Sequence, residues 1–304
     1  MEVDTKKFKG IDLLLFQNVM KEIRLQTHSA NKYLIQLEGA LVEQAALLGN
    51  RDAITMLSFK ALDDATGEYT EDDKEHAAIF INKLSKLKHP LVFKMGGDYH
   101  YRKHNLAKAL ELYKKFLKLD NNSFMSSDVY RTLGMILFQQ QKLMQTKVLM
   151  EKSINLAPIN KVSQAHFVLG LINEIDPLNA RYHFEMAASE GFLESFVNLG
   201  FLELNYFSNL YKAKEWFKLG AELGDYNCMI GLFDCYIKEE NWKNARITYT
   251  KTKKFLKDSK VAVNLDDIRV QSVELMNTSL GPAVFNEQYP NKLPGSKHKS
   301  KWDL

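Results

Sequence analysis

Two cysteines, Cys228 and Cys235, and two histidines, His100 and His104, have the spacings that come nearest to a chemical site in this 304-residue chain. The seven-residue step between the cysteines places both on one face of a helix, where small side chains usually pack in a core. The four-residue step between the histidines would suit two zinc ligands, but no suitably spaced glutamate or cysteine accompanies them. We therefore expect two core cysteines, two solvated histidines near a helix end, and no metal site.

The segment Met95-Gly96-Gly97-Asp98 contains the only double glycine and resembles a phosphate-binding loop at first sight. Such a loop follows a strand and precedes Gly-Lys-Ser or Gly-Lys-Thr, and neither feature is present. Nucleophile motifs such as Gly-x-Ser-x-Gly and His-Glu-x-x-His are also absent from the sequence. We expect a protein that is not an enzyme, with no catalytic residue, no cofactor and no small-molecule substrate, and we interpret the glycines as close contacts between helices.

The composition sets the context for these residues. The chain has 41 basic and 37 acidic residues, a net charge of +4 and 45% hydrophobic residues, which is ordinary for a folded domain with a sizeable core. Two cysteines are too few for a disulfide scaffold and favour a reducing compartment. No apolar run reaches the roughly 18 to 20 residues of a membrane-spanning helix. The first fifty residues are too acidic for an import leader, so an organelle address would be missing or unconventional.

Apolar residues recur at helical spacing along almost the whole chain, and sustained alternation of the kind found in strands is absent. This pattern predicts an all-α protein. Residues that end or begin helices occur about every fifteen positions, which predicts short helices joined by tight turns. These sites are Gly49-Asn50, Thr66-Gly67, His89-Pro90, His104-Asn105, Asn121-Asn122, Ala157-Pro158, Asp176-Pro177, Gly191, Ser208-Asn209 and Gly224-Asp225.

The helices fall into a repeat. A small residue, a glycine three positions later and another small residue four positions after that recur around Gly49, Gly191 and Gly224, as expected for left-handed caps between closely packed helices. A second series, Gly97, Gly134, Gly170, Gly200 and Gly231, has steps of 30 to 37 residues. That period is typical of α-solenoids built from stacked helical hairpins. The aromatic series from Phe192 to Phe217 is then expected to form the core between repeats.

These motifs resemble the tetratricopeptide and Sel1-like repeat families. Leu133-Gly134-x-x-Leu137 followed by Ala157-Pro158 is similar to a tetratricopeptide unit. Two Sel1-like motifs stand in register 33 residues apart, the first from Ala180 to Gly191 and the second from Ala213 to Gly224. We predict a single helical-repeat domain over residues 1–280, with the clearest repeats at 90–256, and a flexible Pro/Lys-rich tail at 281–304.

The run from Leu199 to Arg246 is more specifically similar to a fungal family of mitochondrial Sel1-like factors. A looser similarity extends over roughly residues 30 to 255. This resemblance implies a peripheral protein on the matrix face of the mitochondrial inner membrane. It also implies two partners, an Oxa1-family translocase and cytochrome c oxidase subunit 2, whose C-terminal tail the factor helps to export. The alternative is a general Sel1-like or tetratricopeptide adaptor, for example in a ubiquitin-ligase or signalling complex.

A solenoid usually binds its partner on an extended concave face. The predicted partner-binding residues flank the repeat glycines on polar faces, and they are Tyr99, Tyr130, Arg131, Asn198 and Asn227. Ordinary surface polarity is the alternative for each of them.

Positive charge is concentrated in two segments. Residues 83–118 contain ten basic and two acidic residues, and residues 238–260 contain eight and three. The first segment predicts contact with an anionic membrane surface, although a solvated helix face would have the same composition. Its predicted contact residues are Lys83, Lys86, Lys88, Arg102, Lys103, Lys114, Lys115 and Lys118. RNA binding is disfavoured because only 7 of the 41 basic residues are arginine.

Overall fold

The computed structural model describes residues 8–64, 67–173 and 175–280. Within these ranges the chain forms sixteen helices and no strand, which confirms the all-α prediction. The helices are α1 (Gly10–Gln26), α2 (Lys32–Leu47), α3 (Arg51–Leu62), α4 (Glu71–Lys86), α5 (Pro90–Arg102), α6 (Leu106–Leu119), α7 (Phe124–Gln139), α8 (Leu143–Leu156), α9 (Ile159–Ile172), α10 (Pro177–Ser189), α11 (Leu193–Asn205), α12 (Leu210–Glu222), α13 (Tyr226–Lys238), α14 (Trp242–Asp258), α15 (Leu265–Ile268) and α16 (Val270–Leu280).

Two compact units divide the chain, and the boundary between them lies within α9, after Ala165. In the first unit, α1 packs on α2, α3 on α4, α5 on α6 and α7 on α8. In the second unit, α10 packs on α11, α11 on α12, α12 on α13 and α13 on α14. This stacking of helical hairpins is the predicted solenoid architecture. The prediction of a single domain over residues 1–280 stays a prediction, and the predicted flexible tail at 281–304 lies outside the described residues.

Short polar side chains begin most of these helices. Asn50, Asp176, Asn209 and Asp225 each accept a hydrogen bond from a backbone N–H in the first turn of the helix that follows. Thr70 adds the reciprocal bond of a capping box, because Asp73 accepts from its backbone N–H. These bonds satisfy amide groups that a helix leaves without an internal partner, so the sequence fixes where the helices start.

The cap glycines lie where the repeat pattern predicts them. Gly49, Gly191 and Gly224 follow α2, α10 and α12 with φ angles of +78°, +73° and +88°. Residues with a Cβ rarely adopt this conformation, whereas glycine does so without strain. The predicted left-handed caps are therefore confirmed.

The second glycine series forms the contacts between paired helices. A Cβ on Gly97 would collide with the Tyr113 ring, so the double glycine packs α5 against α6, as predicted from its sequence. Added Cβ atoms on Gly170 and Gly231 would lie 2.5 Å from the rings of Phe184 and Phe217, respectively. Each joint thus combines a glycine on one helix with a bulky side chain on another.

The core of the second unit includes both cysteines. Cys228 and Cys235 are fully buried beside Phe196 and Phe217, which confirms the predicted packing role. The aromatic series is only partly interior, since Tyr206 and Tyr211 are 61% and 70% exposed. The prediction of a buried position is wrong for these two tyrosines, because one follows the last residue of α11 and the other lies on the outer side of α12.

Candidate partner-binding groove

Two adjoining cavities in the first unit form a groove along α5, α7 and α9. Their volumes are about 310 and 340 Å³, and Asp128 and Arg131 line both of them. The other residues that line the first cavity are Asp98, Tyr101, Arg102, Tyr113, Thr132, Met135 and Gln164. Those that line the second are Lys94, Phe124, Met125, Ser127, Ala157 and Lys161.

A network of charged side chains runs along the floor of this groove. The Lys94 Nζ lies 2.6 Å from an Asp98 carboxylate oxygen and 2.8 Å from one of Asp128. Arg131 contacts Asp128 on its own helix and donates a hydrogen bond to the Gln164 side chain on α9. Lys94 and Asp98 are four residues apart on α5, a spacing that brings opposite charges together on a helix surface. The network therefore joins three successive first helices of the repeat.

The pKa shifts of Lys94 and Asp128 favour the charged forms of these two groups. Burial alone would lower the pKa of Lys94, but the carboxylates of Asp98 and Asp128 outweigh it, so the pKa is raised. Burial would likewise raise the pKa of Asp128, but Lys94 and Arg131 outweigh it and the pKa is lowered. Lys94 and Asp128 thus stabilise each other's charged form.

Tyr113 on α6 also binds to this network. The Tyr113 hydroxyl donates a 2.8 Å hydrogen bond to Asp98, and its ring lies against Gly97. Burial, assisted by the charge of Asp98, raises the pKa of Tyr113, so the hydroxyl remains a donor. The same glycine joint that packs α5 on α6 therefore also fixes one carboxylate of the groove.

Apolar side chains border the charged floor. Phe124 and Met125 are 54% and 39% exposed beside the second cavity, and Tyr101 and Met135 line the first. Fixed charges and hydrogen-bonding groups beside exposed apolar side chains are suited to holding a polypeptide segment. The arrangement offers contacts along a length of chain, because three helices contribute side chains to it.

The five predicted partner-binding residues have different surroundings within their own units. Arg131 lies in the groove, whereas Tyr99 packs with its ring centroid 6.4 Å from that of Phe59. Asn198 lines a separate cavity of about 230 Å³ in the second unit, and Asn227 is exposed on α13.

Tyr130 corrects the sequence prediction most clearly. It is only 7% exposed, and its hydroxyl donates to the Asn121 backbone carbonyl at 3.3 Å. The reason is that Tyr130 precedes Gly134 by one helical turn and so shares the buried face of that glycine. A position on a polar face was therefore the wrong prediction for this residue.

The sequence prediction omitted Lys94, Asp98, Asp128 and Gln164. A usable signal was present, because Lys94 and Arg131 both stand three residues before a repeat glycine, at Gly97 and Gly134. Asp128 and Gln164 both stand six residues before one, at Gly134 and Gly170. A comparison of equivalent positions in successive repeats would therefore have identified these polar residues as members of one surface.

The predicted membrane-contact residues divide into two groups. Arg102 and Lys103 both approach Asp63, at 2.7 and 3.8 Å, and Lys115 lies 2.7 Å from Glu111. Their charges are thus partly compensated within the protein. Within the described residues, the other members are exposed and have no acidic partner; these are Lys83, Lys86, Lys88, Lys114 and Lys118.

The two histidines do not share a helix face. His100 lies near the end of α5 with its ring centroid 5.4 Å from that of Tyr99, and His104 lies in the following turn with a φ of +57°. No group of three or more potential metal-binding side chains occurs among the described residues. In that same part of the chain, no helix combines the length and apolar character needed to cross a membrane.

Comparison with known proteins gives a family match, a relative and a structure of similar fold. The family model for the MSS2 N-terminal domain matches residues 2–50. The curated Protein MSS2, mitochondrial, of Saccharomyces cerevisiae is 38% identical over 281 residues, covering 88% of this chain and 79% of the yeast protein. The solved structure of Pseudomonas aeruginosa PilF covers 76% of this chain and 96% of its own, with a TM-score of 0.52 and 16% identity. The last likeness shows the helical-repeat fold alone.

Proposed function

The chain belongs to the MSS2 family, and on that premise we propose that it is a mitochondrial, non-enzymatic adaptor. It acts as a peripheral protein on the matrix face of the inner membrane. There it helps an Oxa1-family translocase to move the C-terminal tail of cytochrome c oxidase subunit 2 across the membrane. The mitochondrial name of the yeast relative and the similarity of Leu199–Arg246 to the fungal factors support this proposal.

The groove along α5, α7 and α9 is the binding site in this proposal. The observation that carries it is the row of compensated charges centred on Asp128 and Arg131, which both cavities share. These side chains are held in place by contacts with one another, so little conformational entropy is lost when a segment binds to them. The groove holds an extended segment of the subunit 2 tail or of the translocase.

The exposed lysines supply the contact with the membrane. Lys83 and Lys86 lie on α4 and Lys88 follows it, while Lys114 and Lys118 lie on α6. Each well-placed lysine contributes about 1 kcal/mol of attraction to an anionic lipid surface, screened beyond roughly 8 Å at physiological salt. Arg102, Lys103 and Lys115 contribute less because acidic side chains already neutralise them. Tyr99, Asn198 and Asn227 stay predictions as partner contacts.

Photocrosslinking tests the groove. The chain is expressed in S. cerevisiae that lacks its own MSS2, with a photoreactive phenylalanine analogue at Met135 in the groove or, as the matched control, at the exposed Tyr211 on α12. We expect crosslinks from position 135 to subunit 2 or to the translocase, and none from position 211. Equal crosslinking from both positions, or from neither, would contradict the assignment of the groove.

Fractionation tests the location and the membrane contact. Mitochondria are extracted with salt and carbonate, and protease protection is measured after rupture of the outer membrane. We expect a matrix-protected, extractable protein. Changing Lys83, Lys86 and Lys88 to glutamate should release it at lower salt, whereas the same changes at Lys108 and Lys115, which already pair with Glu111, should have less effect. Recovery in the cytosol would favour the general adaptor instead.

A further inference from the structure

The outward face of α1 and of the residue before its cap carries a stripe of large apolar side chains. Six of them are about half exposed or more, and they follow one another along most of the helix. They are Phe8 (53% exposed), Ile11 (64%), Leu15 (65%), Phe16 (53%), Val19 (48%) and Ile23 (56%). Together they expose on the order of 600 Å² of apolar surface, which exceeds the few hundred Å² of an ordinary surface patch.

The opposite face of the same helix is already packed. Leu13 and Leu14 are buried against Leu41, Val42 and Ala45 of α2. A helix that is apolar on both sides is typical of a buried position. A partner that covers the α1 stripe would account for this apolar character.

We propose that a second copy of this chain covers the stripe, with the two α1 helices antiparallel about a two-fold axis. The order of apolar residues is nearly the same read in either direction from the midpoint between Leu15 and Phe16. Phe8 and Ile23 lie at similar distances on either side of that midpoint, so each faces the other across the axis. Such self-complementarity is what a two-fold interface requires.

The charges at the ends of the stripe and the area of the stripe are both compatible with binding of a second copy of this chain. In the same antiparallel register, Lys9 at one end of the stripe faces Glu22 of the second copy at the other end. Glu22 lies 3.7 Å from Lys161 within its own chain and keeps 46% of its side chain exposed, so it remains accessible. A standard interface buries about 800 Å² on each partner, which the stripe and its polar rim can supply. Asp12 and Glu22 on this face disfavour an anionic lipid surface.

The mass of the protein in solution tests this dimer directly. The dimer is independent of the groove and of the function proposed for it. Sedimentation equilibrium of the full chain should give twice the 35.1 kDa of one chain. Leu15→Glu with Phe16→Glu should give the monomer mass, since both side chains are exposed and outside the core. The matched control, Ile79→Glu with Phe80→Glu on the exposed face of α4, should remain a dimer.

A charge swap separates this register from other modes of association. Lys9→Glu should weaken the dimer at least tenfold at low salt, and adding Glu22→Lys should restore it. Circular dichroism verifies that each variant is folded. A wild-type chain that is monomeric throughout would overturn the proposal, whether or not it binds lipid vesicles. A dimer that survives the change at Leu15 and Phe16 would also overturn it.

Discussion

The ring of Phe217 offers a quantitative test of how the repeats are joined. It is fully buried, and added Cβ atoms on both Gly200 and Gly231 would strike it. Phe217→Ala removes the ring, and Gly231→Ala inserts a methyl group that would lie 2.5 Å from a ring carbon. In the double variant, the methyl group of Ala at position 231 faces the methyl group of Ala at position 217 in place of the phenyl ring.

The expected magnitudes follow from these contacts. Phe217→Ala should lower the free energy of unfolding by about 3–5 kcal/mol, because a buried aromatic side chain is lost and a cavity remains. Gly231→Ala should cost about 1–3 kcal/mol through overpacking, less roughly 0.5–1 kcal/mol regained from the better helix propensity of alanine. Without the ring, the contacts at 2.5–2.7 Å that the added methyl group would make are removed. The double variant should therefore be more stable, by about 1 kcal/mol or more, than the sum of the single changes predicts.

Urea unfolding followed by far-ultraviolet circular dichroism measures these differences. The control is Phe201→Ala on α11, where the side chain is 36% exposed and the cost should be clearly smaller than at Phe217. If the two single effects add within about 0.5 kcal/mol, the ring and the glycine do not share one space. That result would refute the joint as the structure presents it.

Three further predictions concern titratable and reactive groups. Lys94→Ala should destabilise the first unit by about 1–2 kcal/mol in urea unfolding, because the partly buried carboxylates of Asp98 and Asp128 lose this cation, and an effect below about 0.5 kcal/mol would contradict this. Burial lowers the pKa of His166 below its unfolded value of 6.5. The free energy of unfolding should therefore fall as the pH drops below 6.5. His166→Phe should reduce that loss, whereas His28→Asn should not. Burial raises the pKa of the Cys228 thiol, and that of Cys235 to about 12, so both should react with a thiol reagent only on unfolding.

Helix boundaries were predictable wherever a glycine, proline or capping side chain marks them. Gly191 and Asp225 are examples, and their roles follow from local chemistry alone. The turn at Gln141 lacks such a marker, because Lys142 begins α8 without a side-chain cap, yet Gln141 adopts a positive φ of +59°. Backbone hydrogen bonds from Gln141 to Phe138 and from Lys142 to Leu137 close this turn, and they require no particular side chain in the sequence.

The groove was less predictable than the fold. Arg131 was identified because it lies close to a repeat glycine, but its partners Asp128 and Gln164 were not. The contact between Arg131 and Gln164 spans 33 residues and joins α7 to α9. Residues this far apart in the sequence are recognised as neighbours only when the repeats are aligned with one another. A search for local motifs does not make that alignment.

The glycine joints also determine where the chain can change length. Gly97 meets Tyr113 and Gly134 meets Met150, so each joint is closed by residues of one hairpin. An insertion between those partners would shift one helix past the other and bring a Cβ where none fits. The segment between the α5/α6 hairpin and the α7/α8 hairpin, around Asn121 and Asn122, belongs to neither joint and is exposed. Insertions and deletions should therefore be tolerated better between these two hairpins than between the partners of either joint.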